Sequence, residues 1–112
     1  MGLENPSVVD AVGTETVSGS VVLSILDSWD WTDERDHLLA LQSKLNAYFG
    51  FVESGQMYEA YPAAQGKSLR IDIISRYPLP TAAVQFLTDA KVVAEGLDVS
   101  LRWNAFPAGA AA

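Results

Sequence analysis

Residues 27–55 read DSWDWTDERDHLLALQSKLNAYFGFVESG, and the fold follows from how this stretch divides. Leu38, Leu41, Leu45, Tyr48 and Val52 recur at alternating steps of three and four, so on a 3.6-residue helix they form one stripe. Before them, Asp27, Asp30, Asp33, Glu34 and Asp36 place five acids in ten residues, offset only by Arg35. The stretch predicts an acidic, aromatic loop feeding a long amphipathic helix. Thr32 is the expected N-cap, with Asp30 as its rival. Asp33, Glu34 and Asp36 fall in the first turn, where carboxylates meet the positive end of the helix macrodipole. Gly50 weakens the helix late, and Gly55 is the expected left-handed terminator.

Upstream, residues 1–7 read as an extended lead-in, and residues 8–12 and 21–26 are β-branched runs on either side of a loop longer than the tight two-residue type. Val21, Leu23 and Ile25 share one strand face; Val22, Ser24 and Leu26 share the other. Downstream, residues 56–61 offer one more helical turn before Pro62. Residues 68–75, SLRIDIIS, alternate as a half-buried strand with Leu69, Ile71 and Ile73 inward. Residues 77–80 form a stiff connector with Pro80 at the first position of a second helix. That helix uses Ala83, Phe86, Leu87, Ala90 and Val93 as its apolar face, and Gly96 stops it. Val99, Leu101 and Trp103 face inward on a last strand. The expected organisation is a single α/β domain over residues 1–104 and a flexible alanine-rich tail over residues 105–112.

The order β-β-α-β-α-β predicts an α+β fold: a two-layer α/β sandwich, with a four-stranded mixed sheet carrying two helices on one face. Strand–helix–strand crossovers are nearly always parallel and right-handed, so the last three strands should run the same way. Their open face would carry Ser24, Arg70, Asp72, Ser100 and Arg102, diluted by Val22, Leu26 and Ile74. Their carboxyl ends would gather on one rim, where open α/β sheets tend to place ligands. That rim collects Asp27, Trp29, Asp30 and Trp31 from the first crossover and Arg76 and Tyr77 from the second, with Trp103 and Asn104 at the end of the last strand. The functional reading of this constellation is a binding surface. The structural one has the tryptophans plugging the start of the helix, the acids capping it, and Arg76 pairing with Asp27 or Asp30.

Composition removes whole classes of function. The 112 residues are 49% hydrophobic, enough for a core without metal or disulfide staples. Cysteine is absent, which excludes disulfides, thiolate nucleophiles and cysteine-based zinc sites. A formal charge of -7 with only seven basic residues argues against nucleic acid. No apolar run approaches a membrane span and no export or lipidation signal is read, so the expectation is a cytoplasmic protein that meets no membrane.

His37 is the single histidine, four residues after Asp33 and so on the same helix face. It reads as a surface residue at the edge of the apolar stripe. The sharper alternative is a metal-dependent hydrolase using Asp27, Asp30, Asp33 and His37. Phosphate loops, nucleophile elbows and zinc-protease motifs are missing, and solvated acids seldom have the separated pKa values that acid–base work needs. The residues Tyr58, Glu59, Tyr61 and Pro62 read as a clasp over the end of the long helix, with a peptide-binding edge as the alternative.

The D-x-x-D-W segment at Asp27, Asp30 and Trp31, the E-S-G turn at residues 53–55, and the Y-P pairs at Tyr61, Pro62 and Tyr77, Pro78 give the chain a family likeness. In these segments it resembles a bacterial family of small acidic proteins catalogued only as a domain of unknown function, over roughly residues 3 to 103. The resemblance implies a cytoplasmic bacterial protein and no assigned activity. The expectation is a non-enzymatic binding or protein–protein interaction module without a cofactor, its partner another protein or, as a homodimer, itself. A further alternative is a structural subunit that self-associates through the open sheet face.

Overall fold

Burial alternates along two strands in the same way, and that alternation sets the architecture. The structure, a computed structural model, describes residues 3, 9–15, 17 and 19–103. The lead-in over residues 1–7, apart from Leu3, lies outside the described residues, as do Asn104 and the tail over residues 105–112. In order, the elements are β1 (Ala11–Thr14), β2 (Val21–Asp27), α1 (Glu34–Glu53), α2 (Gln56–Ala60), a 3-10 turn (Pro62–Ala64), β3 (Leu69–Ser75), α3 (Thr81–Gly96) and β4 (Val99–Trp103). The sheet runs β1-β2-β3-β4. β1 is antiparallel to β2, whereas β2, β3 and β4 are mutually parallel.

Both crossovers step in the same direction across the sheet, so a common right-handed sense puts α1 and α3 on one face. Val21, Leu23 and Ile25 of β2, Leu69, Ile71 and Ile73 of β3, and Val99 and Leu101 of β4 point towards them. They form one cluster with Leu41, Leu45, Tyr48 and Val52 of α1 and Leu87, Ala90 and Ala94 of α3. The other face carries Ser24, Arg70 and Asp72 half-buried and Ser100 and Arg102 exposed. There Arg70 grips Asp72 in a two-pronged pair at 2.8 and 3.0 Å and also bonds Glu15.

Several local expectations shift. The first strand spans Ala11–Thr14 and overlaps the expected residues 8–12 only at its start, because its register pairs Ala11 with Ser24 and Thr14 with Val21. Asp33, not Thr32 or Asp30, caps α1: its carboxylate accepts from the Asp36 amide at 3.1 Å, whereas the Thr32 amide is already taken by the Asp30 side chain. Gly50 lies inside α1, and the helix ends at Glu53, with Gly55 two residues on in the left-handed region at φ of 81°. Pro80 is the N-cap of α3 in extended conformation rather than its first helical residue. On α3, Val93 is 56% exposed and Ala94 is buried in its place, continuing the three- and four-residue spacing of the buried Ala83, Leu87 and Ala90.

On α1 the buried stripe begins at His37, not Leu38, and includes Lys44 and Phe49. Lys44 is held by Asp10 at 3.0 Å, with both side chains 0% exposed. Asp10 also accepts from the Leu26 amide at 2.9 Å, and its own amide donates to the Tyr48 hydroxyl at 2.9 Å. That hydroxyl donates in turn to the Ser24 carbonyl at 2.8 Å, tying the segment before β1 and the middle of β2 to α1. At the far end of α1, Met57 is fully buried and Tyr58 packs on the core, whereas Tyr61 of the expected clasp is 39% exposed.

Candidate functional site

The loop between β2 and α1 is built by three aspartates that each capture an amide a few residues ahead. Asp27 accepts from the Trp29 amide at 3.1 Å, Asp30 from Thr32 at 3.1 Å, and Asp33 from Asp36 at 3.1 Å. Such side-chain turns fold the backbone tightly without a helix or ladder. Burial pushes the Asp27 carboxyl above its ordinary range, an effect that His37 and the Trp29 amide oppose but do not overcome. The Thr32 amide holds the exposed Asp30 carboxyl below that range.

This folding brings His37 over the end of β2. Asp27 has the same parity as Val21, Leu23 and Ile25, so its carboxylate points into the core beneath the first turn of α1. There His37 Nε2 lies 2.6 Å from Asp27 Oδ2, with side chains 1% and 0% exposed. The other ring nitrogen, Nδ1, donates to the Asp30 carbonyl at 2.8 Å. Trp31 stacks on the imidazole with ring centroids 3.5 Å apart and planes 13° apart, and Trp29 leans on it at 5.7 Å and 57°. The surface position expected for His37 is therefore corrected: an acceptor waiting inside the core makes its burial possible.

Four of the six expected rim residues, Asp27, Trp29, Asp30 and Trp31, converge on that one imidazole. Arg76 and Tyr77 sit on the neighbouring connector, joined to the loop through the backbone, where the Arg76 amide donates to the Asp27 carbonyl at 2.8 Å. The guanidinium of Arg76 lies over the Tyr77 ring at 5.6 Å. It does not take the expected place against Asp27 or Asp30, because His37 and the loop amides occupy those carboxylates. The residue that sequence reasoning placed wrongly is thus the centre of the site. Its signal was present: His37, Leu41, Lys44 and Tyr48 keep the helical period.

Outside this centre, a cleft of about 480 Å³ is lined by Ser28, Trp29, Asp30, Thr32, Asp33, Asp36 and His37. Among the described residues no Lys or Arg forms a salt bridge with Asp30, Asp33 or Asp36. Both His37 nitrogens are committed to oxygen partners within the protein, which leaves neither as a free base or a ready metal ligand. No group of three or more His, Asp or Glu side chains converges for a metal ion among the described residues. No helix of the described residues is long and apolar enough to cross a membrane.

No curated protein and no solved structure matches the chain. A family model does match, over residues 1–107, and by that match the chain belongs to the family of unknown function DUF6572.

Proposed function

We propose that this protein is a non-enzymatic interaction module that presents to a cationic protein partner the rim of Trp29, Asp30, Trp31, Arg76 and Tyr77, with the buried Asp27 shaping it from beneath. The observation that carries the reading is the cleft beside His37, where Asp30, Asp33 and Asp36 stand around Trp29 without a counter-cation among the described residues. Internal hydrogen bonds fix the loop in advance, so little ordering entropy is lost when a partner binds. The chain's charge of -7 steers a basic surface towards it. Catalysis is a poorer fit, because the one histidine has no nitrogen to offer.

The test is association with an immobilised array of lysine- and arginine-rich peptides, comparing the wild-type protein with Asp30→Asn/Asp36→Asn. The expected result is a loss of about tenfold in association rate at low salt, and a shallower dependence on salt in the variant. Equal rates for the two proteins would overturn the reading.

A second reading rests on Leu26 and Ile74, which are neighbours in the β2–β3 register and 37% and 48% exposed on the open sheet face. An apolar pair of that kind suits a self-associating subunit, joined face to face with a second copy. Light scattering at high micromolar concentration should then give a dimer that Ile74→Asp converts to a monomer. A wild-type monomer would remove this reading.

A further inference from the structure

We propose that the Asp27–His37 pair is a pH-operated latch, holding the loop over residues 27–37 closed only while one proton bridges the two side chains. The carbonyl of Asp30 can only accept, so His37 Nδ1, 2.8 Å away, carries a hydrogen. Between Nε2 and Asp27 Oδ2 the 2.6 Å separation likewise requires a hydrogen, on the ring or on the carboxyl. Once that proton leaves, a neutral ring has a single N–H for two acceptors. Whichever tautomer it adopts, a nitrogen lone pair faces an oxygen at a site where the two side chains are 1% and 0% exposed. Adding a proton instead is also disfavoured, because Asp27 Oδ1 is engaged in accepting from the Trp29 amide. The closed loop is therefore matched to one proton count.

The surroundings set the direction. Asp30 in the loop and Asp33 and Asp36 at the start of α1 are carboxylates that favour keeping the bridging proton, with Glu34 and Arg35 exposed on the same turn. From the connector after β3, Arg76 approaches through its amide while its guanidinium lies over Tyr77. β3 itself contributes Ser75, in register with Asp27 and not titratable in this range. Burial of the Asp27 carboxyl also favours the protonated pair. Opening has a compensation, because Trp31 Nε1 is buried without an acceptor among the described residues and would regain water. The bridging proton is held more tightly by the closed loop than by the open one, so the latch is closed at the lower pH and released as pH rises.

Opening separates Trp31 and Trp29 from the imidazole, which gives two readouts on the protein alone, independent of whether the rim meets a cationic partner. Tryptophan emission and the protection factors of the Trp29 and Thr32 amides are followed from about pH 5 to about pH 10. In the wild-type protein, emission should change reversibly on the alkaline side while far-ultraviolet circular dichroism stays constant, and amide protection should fall about tenfold. In Asp27→Asn the carboxamide can donate to Nε2 and still accept from the Trp29 amide, so a neutral His37 satisfies the closed loop. That variant should stay closed at alkaline pH and open instead in acid.

A flat wild-type profile, or an Asp27→Asn profile that follows the wild type, would overturn the latch. Should the variant not fold, nitrogen NMR of the wild-type His37 ring decides. Loss of the ring proton must coincide with loss of amide protection, and either change without the other refutes the proposal.

Discussion

Lys44 lies in the helix interior with its ammonium sealed from solvent, and its stability role depends on Asp10. Breaking a buried pair from one side leaves an uncompensated charge, so Lys44→Met should lower the unfolding free energy by about 3–5 kcal/mol. Urea denaturation measures it, and Lys44→Met combined with Asp10→Asn should cost less than the sum of the two single changes. Tyr48 gives a pH signature in the same network. Burial pushes its hydroxyl up to about 12, above the usual 10.0. The folded state holds that proton more tightly than the unfolded chain, so the stability it supplies is complete below about pH 10 and is lost as pH rises through about 12. Urea midpoints across that interval should fall in the wild type. The part due to this hydroxyl should vanish in Tyr48→Phe, which itself costs about 1 kcal/mol of hydrogen bonding. Asp27 has the same sign: its raised carboxyl favours the protonated pair with His37, so that contribution declines as pH rises through the folded value.

At the scale of elements, α1 can be strengthened where its sequence works against it. Gly50 is exposed, lies within the helix, and a Cβ added there meets nothing within 4 Å. Gly50→Ala should therefore stabilise the protein by about 0.5–1 kcal/mol, read as a raised melting temperature. Gly55→Ala should do the opposite by about 1 kcal/mol, since φ of 81° at that position disfavours any side chain. The three parallel strands and the two long helices are legible in the sequence because their apolar residues keep periods of two and 3.6. The finer errors have physical causes. On α3, Val93 and Ala94 both satisfy a helical stripe, and only the packing of the helix on the sheet decides between them. On α1, a stripe of apolar residues alone omits His37 and Lys44, although the helical period allows both positions. Their burial depends on carboxylates 10 and 34 residues away, and a single sequence does not say which acids meet which bases.

Across the whole molecule, three parallel strands bring both crossovers to one rim, and this was predictable because handedness leaves so few arrangements. The rim's internal chemistry was not, since it turns on the core-facing parity of Asp27 at the last residue of β2. The expected open face is present, and its register pair Leu26 and Ile74 makes oligomeric state a property to be measured alongside the salt dependence of partner binding.

The closed loop has one more consequence, for the order in which the chain assembles. Every hydrogen bond and ring contact centred on His37 joins residues no more than 10 apart, whereas the Lys44–Asp10 pair spans 34. Closing a short segment sacrifices little chain entropy. On a ribosome, the turn carrying the tryptophans has every partner of the imidazole once residue 37 has emerged, and the Arg76 amide bond to Asp27 is added later. The sheet must wait for β3 and β4 to be synthesised.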